Sequence, residues 1–150
     1  MSRKHIVVAI SCALVLMSVG CSSSSTSSSA STSGSANSTA GGIAATEQDF
    51  SISVSPSSAT AGEVSFTITN NGPSPHEFLV VKSDKDPGSL KVGKDGTVHE
   101  DTLNVIDEQS DIAPSAAPTL TTNLDAGSYI LICNLAGNYA QGMHVGFTVS

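Results

Sequence analysis

Residues 127–150 read GSYILICNLAGNYAQGMHVGFTVS, two strand patterns joined by a Gly-containing loop. The first pattern, 129–133, is apolar at every position, and the second, 145–149, alternates apolar residues with small or polar ones. Alternation with a period of two is typical of β-strands, because successive side chains point to opposite faces. The C-terminal part of the chain is therefore predicted to form two β-strands.

The same pattern recurs upstream in short runs separated by turn-forming residues. No run shows a sustained period of 3.6, although one turn of helix is predicted within 84–95. About seven strands in roughly 105 residues predict an all-β Greek-key sandwich. The upstream strand patterns are 50–55, 64–69, 78–81, 103–105 and 120–124. The run from Phe78 to Val81 is apolar at every position, which predicts a strand buried on both faces.

The N-terminal segment is typical of an export signal. Arg3 and Lys4 precede an apolar run of 14 residues from Ile6 to Val19, which is short for a membrane span. The run leads into Gly20-Cys21, which resembles the lipobox of bacterial lipoproteins, with Ser18 in the usual Leu position. We therefore expect a lipoprotein signal peptide at 1–20 and lipidation at Cys21. A secreted protein cut at another small residue is the alternative.

A Ser/Thr-rich segment follows the predicted signal. Residues 22–40 hold eleven Ser and three Thr in nineteen positions, with no large apolar residue to bury. Such a composition predicts a disordered, flexible linker. The predicted organisation is a signal peptide at 1–20, a lipidated Cys21 and linker at 21–46, and one domain at 47–150.

The charge balance excludes one class of partner. The chain has 13 acidic and six basic residues, for a net charge of −7. A surface this acidic repels phosphate, so nucleic-acid binding is not expected. The membrane, through the lipid, is an expected partner. The protein itself is expected to be a monomer.

Three residues outside the strand interiors have side chains that bind soft metals. His76 follows an Asn/Gly/Pro turn at 70–75 and begins a buried strand, Cys133 ends the 129–133 strand, and Met143 precedes the last strand. Cys133 is the thiol left over once Cys12 goes with the signal and Cys21 carries lipid. If one pole of a sandwich brings the three together, they supply the ligand types of a blue-copper site: imidazole, thiolate and thioether.

The loop from Cys133 to Met143, with His76, resembles the copper site of cupredoxins. It is most similar to the exported bacterial branch related to sulfocyanin, over roughly 47–150. The resemblance implies a cupredoxin β-sandwich and copper ligation by His76, Cys133 and Met143. The second His of the family falls at Asn138 in this chain, so the fourth ligand is absent from its own position.

Four interpretations of Asn138 remain open from the sequence. In the first, Asn138 or a water takes the vacant position. In the second, His144 replaces the missing imidazole, although strand alternation turns it away from Met143. In the third the site holds Cu(I) on three ligands, and in the fourth it binds no metal. Soft ligands and a low ligand number favour Cu(I) over Cu(II). The leading hypothesis is an envelope copper-handling or redox protein with an altered type 1 site. Its expected protein partner is a redox protein or a copper donor or acceptor. The alternatives are a metal-free interaction module and an electron carrier that uses His144.

The remaining signals are weak. His99 is expected to be a solvated surface residue, and the acidic residues Asp107, Glu108 and Asp111 to lie in a solvated loop. Cys133 and His76 make a conceivable nucleophile pair, but no third residue can be named to orient it. An enzyme is therefore not expected.

Overall fold

The computed structural model describes residues 42–150. This part of the chain forms nine β-strands and three short 3₁₀ turns, with no α-helix. No helix in 42–150 is long and apolar enough to cross a bilayer. The predicted signal peptide, Cys21 and most of the predicted linker lie outside the described residues. The strands are β1 Ile43–Gln48, β2 Ser51–Ser55, β3 Ser58–Ala59, β4 Gly62–Asn70, β5 His76–Lys82, β6 Val105–Ile112, β7 Thr119–Leu124, β8 Gly127–Ile132 and β9 His144–Val149.

The strands form two sheets. One has the order β2-β1-β4-β7 and the other β3-β9-β8-β5-β6. Most neighbours are antiparallel, but β1 runs parallel to β4 and β3 runs parallel to β9. The all-β sandwich predicted from the alternation is confirmed, and the strands added to the predicted seven are β1 and β3. The helical turn predicted within 84–95 lies at Pro87–Ser89.

The main core lies between the two sheets. Phe66 of β4 packs against Phe78 of β5 and Phe147 of β9, with ring centroids 5.4 and 5.3 Å apart. All three rings are buried, and they join the sheets through tilted or edge-on contacts, which aromatic pairs prefer. Cys133 and Met143 belong to this core at one of its ends.

A second core covers the outer face of the five-stranded sheet. Alternate residues of β5 and β8 point away from the first core and pack beneath Leu90 and Val98, which lie in the long connection between β5 and β6. The predicted two-sided burial of 78–81 is confirmed, since all four side chains are fully buried. The connection therefore acts as a third layer over the strands that carry the candidate ligands.

Two expectations need correction. The predicted linker–domain boundary at 46/47 falls inside β1, because Ile43 and Ala45 point into the core and pair with β4. Alanine contributes little to a strand signal, which hid the first half of β1. The acidic residues Asp107, Glu108 and Asp111 lie on β6 instead of in a loop. As the edge strand of its sheet, β6 pairs through its backbone and leaves much of its charged surface in solvent.

Candidate metal centre

His76, Cys133 and Met143 come together at one end of the sandwich. His76 is the first residue of β5, Cys133 directly follows β8, and Met143 directly precedes β9. These strands are neighbours in the order β9-β8-β5, so the three residues meet where the ends of adjacent strands lie side by side. All three are buried, with at most 1% of their surface exposed.

A hydrogen-bonded turn delivers His76 to this position. The Asn70 side-chain amide donates to the carbonyls of Ser74 (2.8 Å) and Ile112 (2.9 Å), while its oxygen accepts from the Gly72 N–H (2.8 Å). Asn70 is fully buried, so these bonds satisfy an amide that would otherwise be costly to bury. The 70–75 turn inferred from the sequence is thus held by one side chain.

The His76 ring lies between a carboxylate and the candidate ligands. Its Nε2 is 3.2 Å from Asp49 Oδ1, within ion-pair distance although not aligned as a hydrogen bond. Its Nδ1 is 3.9 Å from Cys133 Sγ and 3.4 Å from Asn138 Nδ2. Because Asn138 offers an N–H to Nδ1, we place the imidazole proton on Nε2, toward Asp49. The Nδ1 lone pair then faces the thiol, as metal ligation requires.

The Cys133 sulfur is buried and accepts two weak hydrogen bonds. The Glu77 backbone N–H lies 3.4 Å from Sγ, and Asn138 Nδ2 lies 3.3 Å from it. Burial raises the pKa of the Cys133 thiol, and the two donors only partly offset this effect. Without a cation the thiol therefore keeps its proton at neutral pH, while the two N–H groups are in place to stabilise a thiolate.

Backbone bonds close the loop between Cys133 and Met143. The Cys133 N–H donates to the Met143 carbonyl (3.1 Å), and the Met143 N–H donates to the Asn138 carbonyl (3.1 Å). Gly142 adopts φ 121°, and a Cβ there would lie 3.0 Å from the Phe50 carbonyl oxygen, so the position favours glycine. The loop thereby presents the half-buried Asn138 side chain to both His76 and Cys133.

His144 lies on the other side of the sheet. It pairs with Ile132 across β8 and β9, and directly paired residues share a face. Ile132 belongs to the second core, whereas Cys133 and Met143 belong to the first. The His144 ring stacks near Tyr139, 5.1 Å between centroids, so the geometry gives no support to His144 as a ligand. His99 is exposed, as expected from the sequence.

The donor set fits copper. An imidazole with its second nitrogen beside a carboxylate is the usual arrangement around a metal-bound His. Across residues 42–150, no three His, Cys, Asp or Glu side chains are grouped closely enough to hold a metal by themselves. A bound ion would depend on Met143 or Asn138 as well, and a sulfur-rich set of this kind selects copper among the common ions.

Comparisons with known proteins identify the family and the fold. The family model described as the Sulfocyanin (SoxE) domain matches residues 49–150. Dithionite-reduced auracyanin from Roseiflexus castenholzii is similar in structure, with a TM-score of 0.56 and 20% identity over 71% of this chain and 94% of auracyanin. Reduced rusticyanin has a TM-score of 0.52 and 17% identity, over 72% of this chain and 77% of its own. An azurin from Methylomonas sp. strain J has a TM-score of 0.51 and 19% identity, over 71% and 95%. No curated protein sequence matches.

The fold is that of the cupredoxins, a class of copper-binding electron-transfer proteins that are generally not enzymes and generally lie outside the cytoplasm. Within that class, the chain belongs to the sulfocyanin family.

The structure adds two acidic residues to those singled out from the sequence. Asp49 faces His76, and Glu47, two residues earlier, is fully buried with no hydrogen-bond partner for either carboxyl oxygen. The alternation of Ile43, Ala45 and Glu47 on one face of β1 is the signal that could have identified Glu47, once β1 was recognised. Asp49 lies in the turn after β1, where no sequence pattern indicates its contact.

Proposed function

We propose that the protein binds one Cu(I) ion through His76, Cys133 and Met143 and handles copper at the cell envelope. The observation that carries the proposal is the position of Asn138. Its amide nitrogen lies 3.3 Å from Cys133 Sγ and 3.4 Å from His76 Nδ1, where the resemblance expects a second imidazole. The chain thus keeps the thiolate, the thioether and one imidazole, and replaces the remaining nitrogen ligand by an amide.

This ligand set favours Cu(I) over Cu(II). Cu(I) accepts soft sulfur ligands and a low ligand number, whereas Cu(II) prefers nitrogen and oxygen donors in a larger set. An amide oxygen is a weaker and harder donor than imidazole, and Asn138 must reorient to offer it. A ligand change between oxidation states slows electron transfer, so copper storage or delivery suits this site better than fast electron carriage.

Burial of Cys133 makes binding depend on proton release. Because the thiol holds its proton in the metal-free protein, copper binding must displace that proton. Apparent copper affinity should therefore rise with pH below the pKa of the thiol, up to tenfold per pH unit.

The proposed setting is the outer side of the bacterial cytoplasmic membrane. The Gly20-Cys21 pattern supports lipid anchoring, and the Ser/Thr-rich segment supports a tether between lipid and domain. A copper-donor or copper-acceptor protein, or a redox protein, is the proposed partner. Metabolic labelling with a radioactive fatty acid tests the anchor: label on the wild type but not on Cys21→Ser supports it, and equal labelling contradicts it.

Native mass spectrometry after exposure to Cu(I) tests the proposed function. The wild type should retain one copper per chain and Cys133→Ser should retain none. His144→Ala is the matched control, since its ring faces the second core, and it should retain one copper. Retention by Cys133→Ser, or absence of copper from the wild type, would contradict the proposal; the latter would favour the metal-free interaction module.

A further inference from the structure

Glu47 is a buried acid that the proposed copper ligation does not use. It is fully buried, and neither Oε1 nor Oε2 has a hydrogen-bond partner. Carboxylic acids are seldom buried without a partner, because the charged form loses its hydration and gains nothing in return. A buried acid without a hydrogen-bond partner calls for an explanation.

The position of Glu47 relates it to the metal centre. It shares the inward face of β1 with Ile43 and Ala45, and it pairs in register with Asn70, the residue that holds the turn before His76. Two residues after Glu47, Asp49 contacts the His76 ring. Glu47 itself stands outside the ligand set, since it forms no metal-binding group with His76 and Cys133.

The groups that face Glu47 are acidic or neutral. Glu77 from β5 disfavours a negative charge on Glu47, and Glu47 in turn disfavours a thiolate at Cys133 after β8. Within 42–150, Lys82 pairs with Asp125 and the His76 ring lies beside Asp49, so no cation is paired with Glu47. Burial, with a smaller effect of Glu77, raises the pKa of Glu47 to about 8. Glu47 is therefore neutral at pH 7 in the metal-free protein.

The net charge of the copper centre determines whether Glu47 can release its carboxyl proton. With a Cys133 thiolate, Cu(I) gives a neutral centre, and an ionised Glu47 would add an unbalanced buried charge. Cu(II) gives a centre with one positive charge, which an ionised Glu47 would neutralise. Opposite charges attract strongly in a low-dielectric interior, so oxidation favours release of the Glu47 proton.

We propose that Glu47 is a redox-linked proton site, which holds a proton on its carboxyl while the centre is reduced and releases it when the centre is oxidised. This inference rests on the proposed copper function. In the coupled step the centre gives one electron to an external one-electron acceptor, the Glu47 O–H bond breaks, and the proton goes to solvent. The Cys133 proton does not take part, since metal binding has already displaced it.

The test compares the wild type with Glu47→Gln, which keeps the shape of the side chain but cannot ionise. Glu63→Gln is the matched control, because Glu63 is an exposed acid on β4. The Cu(I) form of each protein is oxidised with a one-electron oxidant in weak buffer at pH 7, and proton release is followed with an indicator dye. The wild type and Glu63→Gln should release about one proton per copper more than Glu47→Gln.

The pH dependence of the copper reduction potential gives a second test of the proposed proton release. In the wild type the ratio of Cu(II) to Cu(I) affinity should rise with pH up to about pH 8, by as much as tenfold per pH unit, equivalent to about 59 mV per unit for one electron. In Glu47→Gln the ratio should stay constant over that range.

A third measurement needs no copper. The infrared C=O stretch of a protonated buried carboxyl should be present in the wild type at pH 7 and absent from Glu47→Gln. Equal proton release by all three proteins, or a wild type without this band, would overturn the inference while leaving copper binding intact. Absence of copper from all three proteins would overturn the proposed function and the inference with it, so the two failures are distinguishable.

Discussion

The metal-free protein should lose stability as pH rises, because of Glu47. Burial raises its pKa from the ordinary value of 4.5 to about 8 in the folded protein. Between these two values the folded protein binds one proton more than the unfolded chain. The contribution of Glu47 to stability is therefore fully present below pH 4.5 and is lost as pH rises to about 8. Replacing Glu47 with Gln removes this dependence.

The size of the effect follows from the shift. Each pKa unit corresponds to about 1.4 kcal/mol, so the full shift is worth about 5 kcal/mol, of which about 3 kcal/mol has been lost by pH 7. Losses of this size are a large fraction of the stability of a small domain. Relative to the wild type, Glu47→Gln should gain about 1.4 kcal/mol of unfolding free energy per pH unit across the window.

Urea unfolding at a series of pH values, with copper chelated, measures this directly. Acids that do not interact with Glu47 contribute equally to both proteins. The interaction with Glu77 is a smaller cause of the shift than burial, so the difference between the two curves mainly reports on Glu47. Glu63→Gln should follow the wild-type curve, because Glu63 is exposed. Parallel curves for the wild type and Glu47→Gln from pH 4.5 to 8 would refute the reasoning, since they would mean that Glu47 ionises normally in the folded protein.

Three further changes probe the site. Asn138→His places an imidazole between Cys133 and His76. With Cu(II) this variant should show an intense thiolate-to-copper absorption that the wild type lacks. A colourless variant would mean that residue 138 does not face the metal. Gly72→Ala should lower the free energy of unfolding in urea by about 1–3 kcal/mol and weaken copper retention, because a Cβ would lie 2.7 Å from Asp49 Oδ1 and 2.9 Å from His76 Nε2. Gly146→Ala is the control, since its Cβ would meet only Pro87, at 3.4 Å. Equal behaviour of the two variants would contradict the packing argument. Iodoacetamide should label Cys133 slowly at pH 7 in the metal-free protein and faster as pH rises above 9, because burial raises the pKa of the thiol. Rapid labelling at neutral pH would show that the thiol is already ionised and would contradict this expectation.

The sequence predicted the strands and the candidate ligands for a physical reason. Alternation identifies a strand where one face is apolar and the other polar, as in 64–69. A short continuous apolar run between turn residues indicates a strand that is buried on both faces, as in 78–81. His76, Cys133 and Met143 were recognisable because a turn or a strand end bears each of them, and neighbouring strands bring such ends together.

The sequence did not single out Glu47 and Asp49, because their burial and contacts arise from the packing of segments that are distant in the chain. Charged residues are usually exposed, so nothing in the local sequence shows that Glu47 is buried. Asp49 meets His76 only because the β1–β2 turn folds over the same end of the sandwich as the β4–β5 turn. The acidic composition of β6 concealed an edge strand, since its exposed positions carry charge where a buried strand would carry apolar residues.

X-ray absorption at the copper edge of the Cu(I)-loaded protein tests the central claim most directly, because it counts the sulfur and nitrogen neighbours of the metal. The account predicts two sulfur neighbours, from Cys133 and Met143, and a single imidazole nitrogen, from His76. One sulfur should disappear in Met143→Leu, and the spectrum of His144→Ala should match that of the wild type. Two imidazole nitrogens in the wild type, with one lost in His144→Ala, would contradict the account.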